Sequence, residues 1–169
     1  MKHLLKIVLI TCLLFSVFSL AVAAELKLAD QRETTYTIVA PGKPTSVDNY
    51  ALNALQHYLN QITGAEFAIT GSADLDADQP AIFVGLSDCA LKRLGDVNPM
   101  TALKAEEHVV RSKDDDIFLY GKGIHGNLWA VMNFLEASLG WRWYSVHEKP
   151  VTLRNPDIEL EPLDRKSVV

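Results

Sequence analysis

Hydrophobic and polar positions alternate along the chain in two rhythms, and the elements follow from them. Residues 35–40 (TYTIVA) alternate and are rich in β-branched side chains, which predicts a strand ended by Pro41-Gly42. In the next stretch, TSVDNYALNALQHYLNQITG, Val47, Ala51, Leu55, Tyr58, Leu59 and Ile62 fall on one helical stripe. Thr45 with Asp48 makes a capping-box start, and Gly64 sits where a helix-ending glycine belongs. Residues 66–70 (EFAIT) predict a short strand, and residues 81–84 (AIFV) a buried one. Ser87 as a cap and Gly95 as a stop predict a short helix over 89–94. Two further strands, 108–112 and 117–120, are joined by a turn at Lys113-Asp114-Asp115-Asp116.

A second long helix is predicted over 124–139 and ended by Gly140, with a last strand over 141–145. On its wheel Ile124, Leu128, Val131, Leu135 and Leu139 share the apolar face, with Met132 at its edge. Pro150, Pro156 and Pro162 forbid a helix afterwards, so residues 152–169 are expected to be an extended tail or linker. The fold class is α+β: a mixed β-sheet with two main helices packed on it.

The first 23 residues stand apart from this domain, which is expected to span 24–151. MKHLLKIVLITCLLFSVFSLAVAA has Lys2 and Lys6, then an uncharged run over 7–24 that closes on Ala21-Val22-Ala23. Those are the three parts of a secretory signal peptide, and the small residues favour cleavage over a membrane anchor. The expected location is secreted or periplasmic, with no membrane attachment after cleavage. Removing Lys2 and Lys6 moves the formal charge from −5 to −7, a balance unsuited to nucleic acid. Only Cys89 then remains, so no internal disulfide and no C-x-x-C site is expected. The remaining ~146 residues suffice for one domain with its own core.

GKGIHG, residues 121–126, satisfies G-x-G-x-x-G between a strand and a helix. A dinucleotide fold carries that fingerprint in its first βα turn and completes its sheet afterwards, yet only 43 residues follow Gly126. The strand before it is also hairpin-paired. The glycines are therefore read as devices for a tight turn and a close helix approach, and no nucleotide or other cofactor is expected.

ALNALQHYLNQITGAEFAI, AIFVGLS and IFLYGKGIHGNLWAVMNFLEASLGWRWY occur in this order. Together they resemble the N-terminal domain that precedes the catalytic barrel in α-glucuronidases of glycoside hydrolase family 67. The β-N-acetylhexosaminidase N-terminal domain is similar. The most specific run is G-x-L-W-A-V-x-x-F-L-E-x-x-L-G-W-R-W-Y over 126–144. The resemblance implies a β-N-acetylhexosaminidase-like N-terminal domain in a secreted carbohydrate-processing protein. It places the catalytic carboxylates in a following (β/α)8 barrel, normally in the same polypeptide, and this chain departs from that pattern by stopping at Val169.

Catalytic residues are expected to be none. Glycoside hydrolysis needs two carboxyl groups roughly 5–9.5 Å apart around one bond. Glu106 and Glu107 are adjacent and face opposite sides of a strand, while the aspartate run fits turn chemistry. His108 and His125 have no partner at ligand spacing, so no metal site is expected. What remains is aromatic. Trp129 projects among His125, Asn133 and Glu136 on the polar face of the second helix, where it covers a surface, stacks on a sugar or anchors a partner. Trp141 and Trp143 share one face of the predicted last strand, with Arg142 and Tyr144 on the other, and one of these pairs is core by default. The expected interface or saccharide-binding residues are thus Trp129, His125, Asn133, Trp141, Arg142, Trp143 and Tyr144.

Two functions fit this reading. One is a non-catalytic accessory domain of a secreted glycoside hydrolase in polysaccharide or xylan degradation, partnered by a catalytic barrel. The other is a free-standing secreted module that binds a glycan. Both require export, so N-terminal sequencing of the exported chain should read from Ala24 or Glu25; a chain still beginning at Met1 would refute the signal peptide.

Overall fold

The computed structural model describes residues 25–96, 98–142 and 155–168. The expected signal peptide, residues 1–23, lies outside these residues. The chain runs β1 (Leu26–Ala29), β2 (Thr37–Val39), α1 (Ser46–Thr63), β3 (Ile69–Thr70), β4 (Ala81–Val84), α2 (Asp88–Leu94), β5 (Glu107–Lys113), β6 (Asp116–Gly121), α3 (Gly126–Asn133), a π-helical turn (Phe134–Ser138), β7 (Ile158–Leu160) and β8 (Asp164–Val168). Six strands form one mixed sheet in the order β3-β2-β4-β6-β5-β8, parallel from β3 to β6 and antiparallel from β6 to β8. β1 and β7 pair as a separate antiparallel ribbon. This is the α+β fold with a mixed sheet that the residue pattern predicts.

Period-two alternation along the central strands supplies two cores. Ile82, Val84, Ile117, Leu119 and Val110 face α1 and α3, where they meet Leu55, Leu59, Ala130, Val131 and Phe134. The alternate residues Phe83, Phe118, Val109 and Tyr120 face α2 and pack with Ala90 and Leu94. Phe83 and Phe118 stack there with ring centres 5.2 Å apart. Both faces of β4 are covered, which is why AIFV is apolar throughout.

The helix ends follow local chemistry. Thr45 accepts from the Asp48 N–H at 3.1 Å, and the Asp48 carboxylate accepts from the Thr45 N–H at 2.9 Å, a reciprocal capping box. Gly64 closes α1 in the left-handed region, and Ser87 and Gly95 bound α2 as predicted. The hairpin turn is also where it was expected, with Lys113 paired to Asp116 across Asp114 and Asp115.

Three expectations are corrected. The second long helix does not run evenly over 124–139. It starts at Gly126 and widens into a π-helical turn at Phe134, which lets the consecutive Phe134 and Leu135 both reach the core. Ile124 therefore lies in the loop, 74% exposed, and not on the apolar face. The described part of 152–169 is extended, but β7 pairs with β1 and β8 completes the sheet beside β5, so it is not a free tail. Residues 141 and 142 are not a strand, and residues 143–145 lie outside the described residues.

Gly121 and Gly126 are in backbone contact. A Cβ added to Gly121 would sit 2.7 Å from the Gly126 Cα, closer still to the Gly126 carbonyl, and a Cβ on Gly126 would collide with Gly121 in return. Neither obstacle is a flexible side chain. Gly121→Ala is therefore expected to destabilise the chain by about 2–4 kcal/mol in urea unfolding, because α3 must lift from the sheet.

Candidate functional site

The loop over 121–126 presents the candidate residues at one end of the sheet. Its first two N–H groups are bonded within the protein: Gly121 donates to Asn127 Oδ1 at 3.1 Å and Lys122 to the Glu107 carbonyl at 2.9 Å. Asn127 Nδ2 in turn donates to Asp48 Oδ1 at 2.9 Å, so its carboxamide fills the space between the loop and the start of α1.

His125 is the exposed N-cap residue of α3, and its side chain makes no capping hydrogen bond. Its Nδ1 lies 3.9 Å from Glu106 Oε2, and its ring centre is 6.2 Å from that of the half-buried Trp129. Glu106 reaches this position from a left-handed backbone (φ 61°) just before β5, held by its N–H bond to the Lys122 carbonyl. Exposed Ile124, His125, Trp129 and Glu106 thus form a mixed patch on a turn fastened at both ends. Asn133, one turn beyond Trp129 on α3, is half-buried, and its Oδ1 has no hydrogen-bond partner.

The other expected residues lie elsewhere. Trp141 is only 2% exposed and packs on Tyr58 with ring centres 4.3 Å apart, so it belongs to the core and offers no face to a sugar. The cause is the close of the helix: Gly140 is left-handed, and the Trp141 N–H donates back to the Leu135 carbonyl at 3.0 Å, which turns the indole inward. Arg142 is bound to α3's end through Glu136, at 3.2 Å to the carboxylate and 3.0 Å to the carbonyl. Trp143 and Tyr144 lie outside the described residues. Glu106 and Ile124 are additions to the set; the strand pairing of 107–113 with 116–121 is the signal that brings Glu106 to the loop.

Each of the three buried carboxylates holds a structural bond. Burial pushes the Asp48 carboxyl up, but bonds from the Thr45 backbone, Asn127 and the Thr45 hydroxyl bring it below the usual range. Glu107 is held low by Lys166 at 2.7 Å and by the Lys104 N–H at 2.8 Å. Burial pushes Asp116 up, against Arg93 at 3.0 Å and the Ala81 N–H at 3.0 Å.

An α+β domain with a mixed sheet and a patch made by exposed His125 and half-buried Trp129 is the class these observations define. No family model matches the chain, and no curated protein sequence does. Thirty-eight chains of solved structures match, among them one described as a "GH138 enzyme targeting pectin rhamnogalacturonan II". It is 17% identical with a TM-score of 0.41, over 70% of this chain and 15% of that one, so this chain spans a small part of that enzyme.

The positions of the two tryptophans lead to a contrast in stability. Trp129→Ala should cost about 1–2 kcal/mol and Trp141→Ala about 3–5 kcal/mol in urea unfolding. Equal losses would mean that Trp129 is as much a core residue as Trp141.

Proposed function

We propose that this chain is a non-catalytic accessory domain of a secreted or periplasmic carbohydrate-active enzyme, with the chemistry in a partner (β/α)8 barrel. The observation that carries the reading is the use of the acids. Hydrolysis of a glycosidic bond needs a convergent pair of carboxyl groups free to act on one substrate. Here Asp48, Glu107 and Asp116 are each tied to a cap, a lysine or an arginine. Glu106, the half-buried acid at the loop, faces a histidine, His125. The run over 126–144 supports an α-glucuronidase-like enzyme as the whole to which the domain belongs.

In this reading Ile124, His125 and Trp129 form the docking contact with the barrel. An exposed isoleucine beside a half-buried tryptophan has the composition of an interface anchor. The same tryptophan also favours a second reading, a free-standing saccharide-binding module in which Trp129 stacks on a sugar.

The purified chain should turn over no aryl glucuronide, aryl hexosaminide or xylan-derived oligosaccharide. Joined to its barrel, it should form an active enzyme whose assembly is weakened by Ile124→Asp. Turnover by the isolated chain that survives further purification and is abolished by replacing one acid would refute the accessory role.

A further inference from the structure

β1 ends in a two-residue turn in which Asp30 and Glu33 exchange backbone hydrogen bonds of 2.9 and 2.8 Å. Gln31 and Arg32 between them have φ of 48° and 67°. A turn with positive φ at both central positions is the province of glycine and asparagine, and side chains there are strained. The strain is held from outside: the Gln31 N–H donates to Asp157 Oδ1 at 2.8 Å, and the Arg32 N–H faces the Pro156 carbonyl at 3.5 Å.

The effect is to lay Arg32 across the end of α1. Its Cγ and Cδ lie 3.4 Å from the point where a Cβ on Gly64 would stand. Its guanidinium makes no hydrogen bond or ion pair among the described residues. Every other described arginine is engaged: Arg93 with Asp116, Arg111 with Asp164, Arg142 with Glu136 and Arg165 with Ser138. An unpaired guanidinium on a strained backbone, in a chain of net charge −5, stands alone.

Arg32 borders a cleft of about 600 Å³ whose walls include Gln56, His57, Asn60, Gln61 and Pro156. Two of these amides are oriented by the fold. Gln56 Nε2 donates to the Phe67 carbonyl at 2.7 Å, and Asn60 Oδ1 accepts from the Phe67 N–H at 3.0 Å. Gln56 keeps a free carbonyl oxygen and Asn60 a free NH₂, a fixed acceptor and a fixed donor one turn apart.

We propose that this cleft binds a hydroxylated ligand bearing an oxyanion, with the Arg32 fork on the oxyanion and the Gln56 and Asn60 amides on hydroxyls. A planar guanidinium matches a carboxylate or sulfate through two parallel N–H bonds, which an ammonium does not reproduce. The competing role for Arg32 is as a plain cation at the end of α1, whose last turn has no basic residue. That role needs charge but no fork. The proposal does not depend on the accessory-domain reading.

Calorimetric titration of the purified chain with maltotriose, its C6-oxidised form and its sulfated form tests the site and separates carboxylate from sulfate. Binding of at least one charged probe is expected with a dissociation constant on the order of millimolar, and of maltotriose at least about tenfold more weakly. Arg32→Gly should abolish the difference while leaving the thermal midpoint unchanged or raised, because glycine accepts the left-handed backbone. Should that variant fail to fold, Arg32→Lys decides: a native midpoint with binding weakened about fivefold or more supports the fork. Native affinity in either folded variant, equal binding of all three probes, or no binding up to about 20 mM overturns the proposal.

Discussion

Gly121 and Gly126 touch backbone to backbone, and the placement of everything around α3 depends on that contact. With no side chain between them, the first turn of α3 lies directly on the end of β6. Asn127 is then close enough to bond the Gly121 N–H with one end of its carboxamide and Asp48 with the other. Asp48 is itself the capping acid of α1, so the start of one helix is bonded to the start of the other. The loop between the two glycines has nowhere to go but outward, which is why Ile124 and His125 stand in solvent.

The opposite face of the sheet is held by different means. α2 has only two turns and covers Phe83 and Phe118 with little helix surface. Arg93 extends that cover: it pairs with Asp116, lies over the Phe83 ring at 5.7 Å, and donates to the carbonyls of Asp76, Ala77 and Gln79. One side chain thus closes the loop before β4, the start of β6 and the short helix together. A buried pair of this kind is weak evidence for stability, but removing one partner leaves the other charge uncompensated.

Elements whose cause is local were legible in the residues. The capping box at Thr45 and Asp48, the stops at Gly64 and Gly95 and the all-apolar β4 each depend on neighbours a few positions away. What was not legible depends on distant partners. β8 reads DRKSV, a charged stretch after prolines, and becomes a strand only because β5 offers it an edge. Its charges suit that edge, where unpaired backbone invites aggregation. Trp141 looked available for the same reason: the π-helical turn that sends it inward has no period in the sequence. Of the candidate patch, His125 and Trp129 could be read from helix spacing, whereas Glu106 came from strand pairing. Arg32 had no signal, since neither residue of its turn is glycine or asparagine.

The ribbon of β1 and β7 carries a consequence for how the molecule is made. Leu26 pairs with Leu160, so the first strand of the domain finds its partner only near the far end of the chain. Contacts of such separation form late, because a long loop must close before they stabilise anything. At about 5–20 residues per second of synthesis, β1 waits on the order of ten seconds for β7 to exist. During that interval Leu26 and Leu28, later buried at 2% and 0% exposure, lack their cover. A nascent chain in this condition stays unfinished, and open to whatever binds extended apolar segments, until its last strands have been synthesised.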